Sequence, residues 1–268
     1  IMTRSELVSL IREKQNYLCV GLDPDPARMP AKFKDSKNDI FEFNKAIIDA
    51  TRDHCVAYKP NTAFYESMGV EGWKALQKTR EYIGDSHFTI ADAKRGDIGN
   101  TSKKYAEAFF ENLNFDAVTV APYMGSDSVK PFLEYDGKWA IILGLTSNDG
   151  ANDFQFVQEN EERLFERVMR EGAKWGSIEN TMFVVGATRP EMLQDVRKIL
   201  PDSFLLVPGV GAQGGSLAEV SQYGLTKDCG LLVNVGRSIL YASSGNDFAE
   251  AARREAEKIS GEMSRLIT

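Results

Sequence analysis

Histidine is scarce in this chain. Only His54 and His87 occur among 268 residues, and neither has a nucleophile or a ligand-spaced partner beside it. That excludes a serine–histidine hydrolase and a histidine-rich zinc centre, and both rings read as packing or surface groups. Cysteine is equally sparse. Cys19, Cys55 and Cys229 are odd in number, far apart and form no CxxC pair. They argue against a disulfide framework or structural zinc and for a reducing cytoplasm. No apolar run approaches the roughly 18 residues a membrane helix needs, and the longest, WAIILGL at 139–145, is strand-sized. The opening stretch IMTRSELVSLIREKQ shows no apolar signal-peptide core. Basic blocks are also missing. With a net charge of −7, neither nucleic acid nor a membrane is an expected partner.

What is present is a soluble globular composition, 43% hydrophobic and 26% charged. Thr3-Arg4-Ser5-Glu6 has the form of a capping box opening an amphipathic helix with Leu7, Leu10 and Ile11 on one face. Strand-like runs then alternate with helical patterns: YLCVGLDPD (17–25), CVAYKPN (55–61), HFTIADAK (87–94), DAVTVAPYMG (116–125), WAIILGLTSN (139–148), TMFVVGAT (181–188), FLLVPGVGAQGG (204–215) and GLLVNVGRSI (230–239). Between them the periodicity predicts helices over 39–52, 67–83, 102–112, 126–134, 158–175, 190–199 and 216–223, with a last one over 247–265. Eight apolar strands, nearly all running into Gly, Pro, Asp, Asn or Thr, predict one all-parallel (β/α)8 TIM barrel spanning 1–268 as a single domain. A doubly wound open sheet is the structural rival, but it normally needs fewer strands or a second domain.

In such a barrel chemistry sits at the C-terminal ends of the strands. The ring to inspect is Asp23, Lys59, Asp92 and Lys94, Pro122, Thr146 and Ser147, Thr188, Gly211 and Gln213, and Gly236 and Arg237. IADAKRGDIGNT (90–101) is its densest part. Strand alternation aims Asp92 and Lys94 into the mouth together, with Asp97 in the following loop. A solvated ion-pair loop is the plain alternative. Charges at a barrel rim are costly to desolvate unless they answer one another, and a lysine held between carboxylates suits electrostatic stabilisation and proton donation rather than Schiff-base attack. Lys59 adds a second cation to the same space, giving an alternating Lys-Asp-Lys-Asp set with no evident metal cage.

GVGAQG at 209–214 matches GxGxxG, but it follows a seventh strand instead of opening a first βαβ unit. It reads better as a Gly-rich loop holding a phosphate with Gln213, joined by Gly236 and Arg237 of NVGRSI. Asp23 suits either an Asx-Pro turn or a bond to a sugar hydroxyl. In LTSN, Thr146, Ser147 and Asn148 suit either turn capping or reading a polar ring edge.

DAKRGDIGNT closely resembles the D-x-K-x-x-D-I-x-x-T signature of the orotidine 5′-monophosphate decarboxylase family. GLDPD, YKPN, LTSN, PGVGAQGG and NVGRSI follow in the expected order, so the resemblance covers about 17–241 and is most similar to the longer bacterial subgroup. It implies decarboxylation of orotidine 5′-monophosphate to UMP with no metal or organic cofactor. It also implies a charged tetrad of Lys59, Asp92, Lys94 and Asp97, with Lys94 protonating C6. Asp23 and Asn61 would contact the ribose, Thr146 and Ser147 the pyrimidine, and Gln213, Gly236 and Arg237 the phosphate, with the 208–216 loop closing on it. In a homodimer, Asp97 and Thr101 would complete the partner's site. Related barrels with the same D-x-K-x-x-D act on sugar phosphates with magnesium, held partly by an acid on strand two. Lys59 at that position would repel the ion. A phospholigand-binding barrel without catalysis would need the phosphate set but not the four charges.

Overall fold

A computed structural model describes residues 1–33, 39–211 and 214–267. Eight of the apolar runs form the strands β1 (Leu18–Gly21), β2 (Ala57–Lys59), β3 (Phe88–Arg95), β4 (Ala117–Val120), β5 (Trp139–Leu145), β6 (Thr181–Val185), β7 (Phe204–Pro208) and β8 (Leu231–Val235). Their residues are buried almost throughout, as parallel strands roofed by helices must be. Each strand pairs in parallel with its sequence neighbours, and β1 closes on β8 with Leu18 opposite Val233. The expected closed eight-stranded barrel is the observed architecture. At its floor, the rings of Phe88, Trp139 and Phe204, each opening an odd-numbered strand, meet edge-on at 5.8 and 6.4 Å. Side chains from alternate strands make one layer in this way.

The outer wall consists of α2 (Asp39–Thr51), α3 (Gly69–Ile83), α4 (Gly99–Glu107), α5 (Ser126–Leu133), α6 (Leu164–Gly172), α7 (Met192–Ile199), α8 (Leu217–Gly224) and α9 (Phe248–Leu266). The first helix, 4–14, opens with the predicted capping box, Thr3 and Glu6 bonding each other's backbone amides. Its Arg4 donates to the carbonyls of Ile178 and Asp202 at 3.3 and 2.9 Å and stacks over Phe204 at 5.1 Å. Those loops lead into β6 and β7, so this helix covers the N-terminal end of the barrel. The opposite end stays open.

Three helical expectations are corrected. The helix predicted over 158–175 is only Leu164–Gly172. Before it, Gln158–Glu159 and Glu162–Arg163 pair as an antiparallel hairpin. Asn160 and Glu161 both take positive φ, 50° and 66°, which is the turn a two-residue hairpin requires. The 67–83 helix is preceded by a separate turn, Ala63–Glu66, and a Cβ at Gly72 would lie 1.8 Å from the Tyr65 carbonyl oxygen, so only glycine fits there. Finally, the predicted 102–112 helix starts at Gly99 and loosens into a π-turn over Ala108–Asn112.

All three cysteines are free and buried. Burial pushes the Cys19 thiol well above its ordinary value and the Cys55 and Cys229 thiols up to about 12. Native protein at pH 8 is therefore expected to leave a thiol-titrating disulfide reagent unconsumed, with three equivalents reacting after denaturation; rapid native labelling would contradict this packing. His87 is buried at the N-terminal end, its Nε2 2.8 Å from the Arg52 carbonyl oxygen and 3.1 Å from Lys14 Nζ. Burial, reinforced by Lys14, lowers its imidazole to about 4. Between that value and roughly 6.5 the unfolded chain carries a proton that the folded one lacks, so stability falls as pH drops through the window. Unfolding free energies from urea titrations at pH 7 and 4.5 should differ less in His87→Gln than in the parent, by on the order of 2–3 kcal/mol.

Candidate active site

The end of β3 is irregular. Ala91 pairs with Val118 and Arg95 with Val120, so four steps along β3 match two along β4. Within this bulge Lys94 adopts φ 47°, a left-handed conformation uncommon outside glycine. Asp92 and Lys94 do meet as the sequence predicts, but by a bulge and a left-handed lysine rather than by plain alternation. Lys94 Nζ donates to Asp92 Oδ1 at 2.7 Å. Lys59, the last residue of β2, donates to Asp92 Oδ2 at 2.9 Å.

Lys59 and Asp92 are only 4% and 9% exposed, whereas half of the Lys94 side chain reaches solvent. Burial alone would raise the Asp92 carboxyl, but Lys59 and Lys94 together reverse this and hold it far below the usual carboxylate range. Burial likewise works against the Lys59 ammonium, and Asp92, with help from Asp23, outweighs it and keeps Lys59 above its ordinary value. The result is a plus–minus–plus array at the barrel mouth, its Lys59–Asp92 half desolvated and Lys94 facing the opening. With Lys59 and Asp92 buried, it is not the solvated ion-pair loop of the plain alternative.

This array forms one wall of a cavity of about 340 Å³. Asp23 lies on the same side, its Oδ1 accepting from the Asn61 amide at 3.1 Å, while the Asn61 side chain accepts from Ala63 N. Gly236 and Arg237 line the β8 side. Gly21 lets β1 and β8 approach there, since its Cβ would lie 3.1 Å from Gly236 Cα. Across the cavity stand Thr146 and Ser147. Asp97 and Thr101 are not among the lining residues. Asp97 Oδ1 accepts from the adjacent Ile98 amide, and Thr101 is exposed. Pro122 does not line the cavity, and Thr188 lines an adjoining recess of about 270 Å³ instead. Gln213 lies outside the described residues. A wider apolar groove of about 610 Å³ beside Met29, Phe33 and Met68 contains none of the predicted residues.

Sequence reasoning missed several groups at this mouth. Leu143 and Val184 give it apolar walls, and Asn234 lines it with a buried amide oxygen that has no hydrogen-bond partner among the described residues. Gln155 clamps Thr146 from outside: its Oε1 accepts from Thr146 N at 2.8 Å and its Nε2 donates to Thr146 Oγ1 at 2.7 Å. Thr119 on β4 touches the charged array directly through Asp92 Oδ1. Its signal was a lone hydroxyl in the buried run AVTV.

Residues 16–254 match the family model described as the orotidine 5′-phosphate decarboxylase / HUMPS family. The chain is 58% identical over 269 residues to orotidine 5′-phosphate decarboxylase of Flavobacterium johnsoniae, covering 99% of this chain and 98% of the relative. It is 57% identical to that of Christiangramia forsetii, covering 98% and 97%. Among solved structures, Leishmania donovani OMP decarboxylase superposes with a TM-score of 0.83 at 37% identity, covering 97% of this chain and all of that one. Leishmania donovani UMP synthase gives 0.84 at 39% identity, but this chain spans only 57% of its length. With near-complete coverage in sequence, and a barrel whose mouth carries the charged signature, the chain belongs to the orotidine 5′-phosphate decarboxylase / HUMPS family.

Proposed function

We propose that this chain, acting as one catalytic domain, is a carboxy-lyase that converts orotidine 5′-monophosphate to UMP and CO2, the last step of de novo UMP biosynthesis. The buried Lys59–Asp92 pair, with the half-exposed Lys94 bonded to the same carboxylate, carries the reading. Gly236 and Arg237, with Gln213, take the phosphate. Asp23 and Asn61 take the ribose, and Thr146 and Ser147 the pyrimidine edge. These contacts lie away from the bond that breaks, so their binding energy can be spent on placing the substrate carboxylate near Asp92. As the C6–carboxylate bond cleaves, its electron pair stays on C6 and CO2 departs. The Lys94 ammonium stabilises that charge and gives C6 its proton. Lys59 keeps Asp92 ionised and in place. The magnesium-dependent sugar-phosphate alternative calls for an acid at the end of strand two, where this chain has a buried ammonium 2.9 Å from the carboxylate.

The substrate site is completed by a second copy. Asp97 and Thr101 sit on the rim outside their own cavity. Ile98, next to Asp97, and Tyr123 and Met124 in the loop after β4 are 54%, 89% and 47% exposed, apolar surface suited to a homodimer interface that carries both polar residues into the neighbouring site. No helix among the described residues is long and apolar enough to cross a membrane. Three buried thiols suit the reducing cytoplasm.

Loss of orotidine phosphate absorbance is expected on adding the protein in EDTA. Lys94→Ala should slow it by at least roughly a hundredfold. Activity abolished by EDTA, or borohydride trapping of substrate on Lys59 or Lys94, would move the chain to magnesium or Schiff-base chemistry. Mixing inactive Lys94→Ala and Asp97→Ala dimers should restore roughly a quarter of the sites through subunit exchange. Confirmed exchange without recovery would place both residues in one chain's site.

A further inference from the structure

Thr119 is 1% exposed in the middle of β4. Its β-branched shape suits a buried strand whatever the hydroxyl does. The hydroxyl, however, is engaged twice. The Lys94 backbone amide donates to Oγ1 at 2.9 Å, and Oγ1 lies 2.9 Å from Asp92 Oδ1. A main-chain amide can only donate, and an ionised carboxylate can only accept. The hydroxyl proton must therefore point at Asp92. At this point the β3–β4 register has slipped, so a side-chain oxygen rather than a strand carbonyl receives the Lys94 amide. Arg95 braces the same bulge from outside, its Nη1 donating to the Ala93 carbonyl at 3.1 Å while its guanidinium packs over Tyr105 and Phe109.

We infer that Thr119 is a positioning residue for Lys94. One hydroxyl ties the backbone of the proton donor to the carboxylate that orients its ammonium, so the left-handed turn and the Lys94–Asp92 contact are held as a unit. The inference rests on the decarboxylase reading for its kinetic consequence, while the tie itself is structural. Replacing the hydroxyl by a methyl group keeps the shape but leaves a part-buried amide without this acceptor and removes one of three donors from Asp92. Lys94 is then free to return to ordinary strand backbone, which re-aims its side chain. The proposed phosphate and ribose contacts follow β1, β2, β7 and β8, away from β4, so substrate affinity should be spared.

Thr119→Val is expected to lower kcat roughly 10–100-fold, as a misplaced catalytic group does, and to leave KM within about twofold. Thr119→Ser should recover most of the rate. The Lys94 amide should exchange with solvent at least about tenfold faster in the valine variant and near the parent rate in the serine variant. A valine variant with parental kcat, a loss confined to KM, or an equal loss in serine would overturn the assignment. If Thr119→Val does not fold, Thr119→Ala carries the same expectations. If the parent protein itself fails to decarboxylate, the functional reading falls. The amide exchange then decides the tie alone, and unchanged Lys94 protection without the hydroxyl would overturn it.

Discussion

A carboxylate that stays ionised while nine-tenths buried has to be surrounded by donors, and Asp92 organises this barrel's mouth around that requirement. Lys59 from β2, Lys94 from the end of β3 and Thr119 from β4 all donate to it. Each ion pays a desolvation cost of several kcal/mol that attraction repays only when the geometry is good. That geometry needs three adjacent strands in fixed register, which a closed barrel provides. The charges are consequently a consumer of the fold's stability and not its source.

That stability comes from the apolar core, part of which lies at the other end. The odd-strand aromatic layer of Phe88, Trp139 and Phe204 sits at the strand starts, covered by the first helix and its Arg4 anchor. The bulge at Lys94 and the amide oxygen of Asn234, which has no partner among the described residues, are local departures from good packing. Both lie on the side where a substrate would be handled, as strained or under-satisfied groups in native proteins tend to.

Most of the architecture was legible in the sequence because strands buried on both faces read as plain apolar runs, and eight of them with helical spacers leave few arrangements. Lys59, Asp92 and Lys94 were legible because each ends such a run. What stayed hidden depends on register. Alternation cannot reveal a bulge, so the left-handed Lys94 and the role of Thr119 appear only once β3 lies against β4. The hairpin at 158–163 was masked by helix-forming Glu, Gln and Arg, whose propensity the Asn160–Glu161 turn overrides. Gln155 acts through contacts nine residues away on an irregular segment, where no periodicity operates.

The pairing of β1 with β8 also constrains how the chain comes to be folded. Leu18 and Val233 are neighbours in the finished ring, yet almost the entire chain separates them. Emerging from a ribosome, β1 must wait for the last strand with its outer row of amides and carbonyls unpaired. An open sheet edge of this kind recruits other chains, and contacts this distant in sequence form slowly. Its brevity, four residues from Leu18 to Gly21 and stopped by the Asp-Pro turns that follow, limits the template offered during that wait. A short first strand thus serves synthesis as well as the finished enzyme, keeping the nascent barrel from zipping onto a neighbour before its own eighth strand arrives.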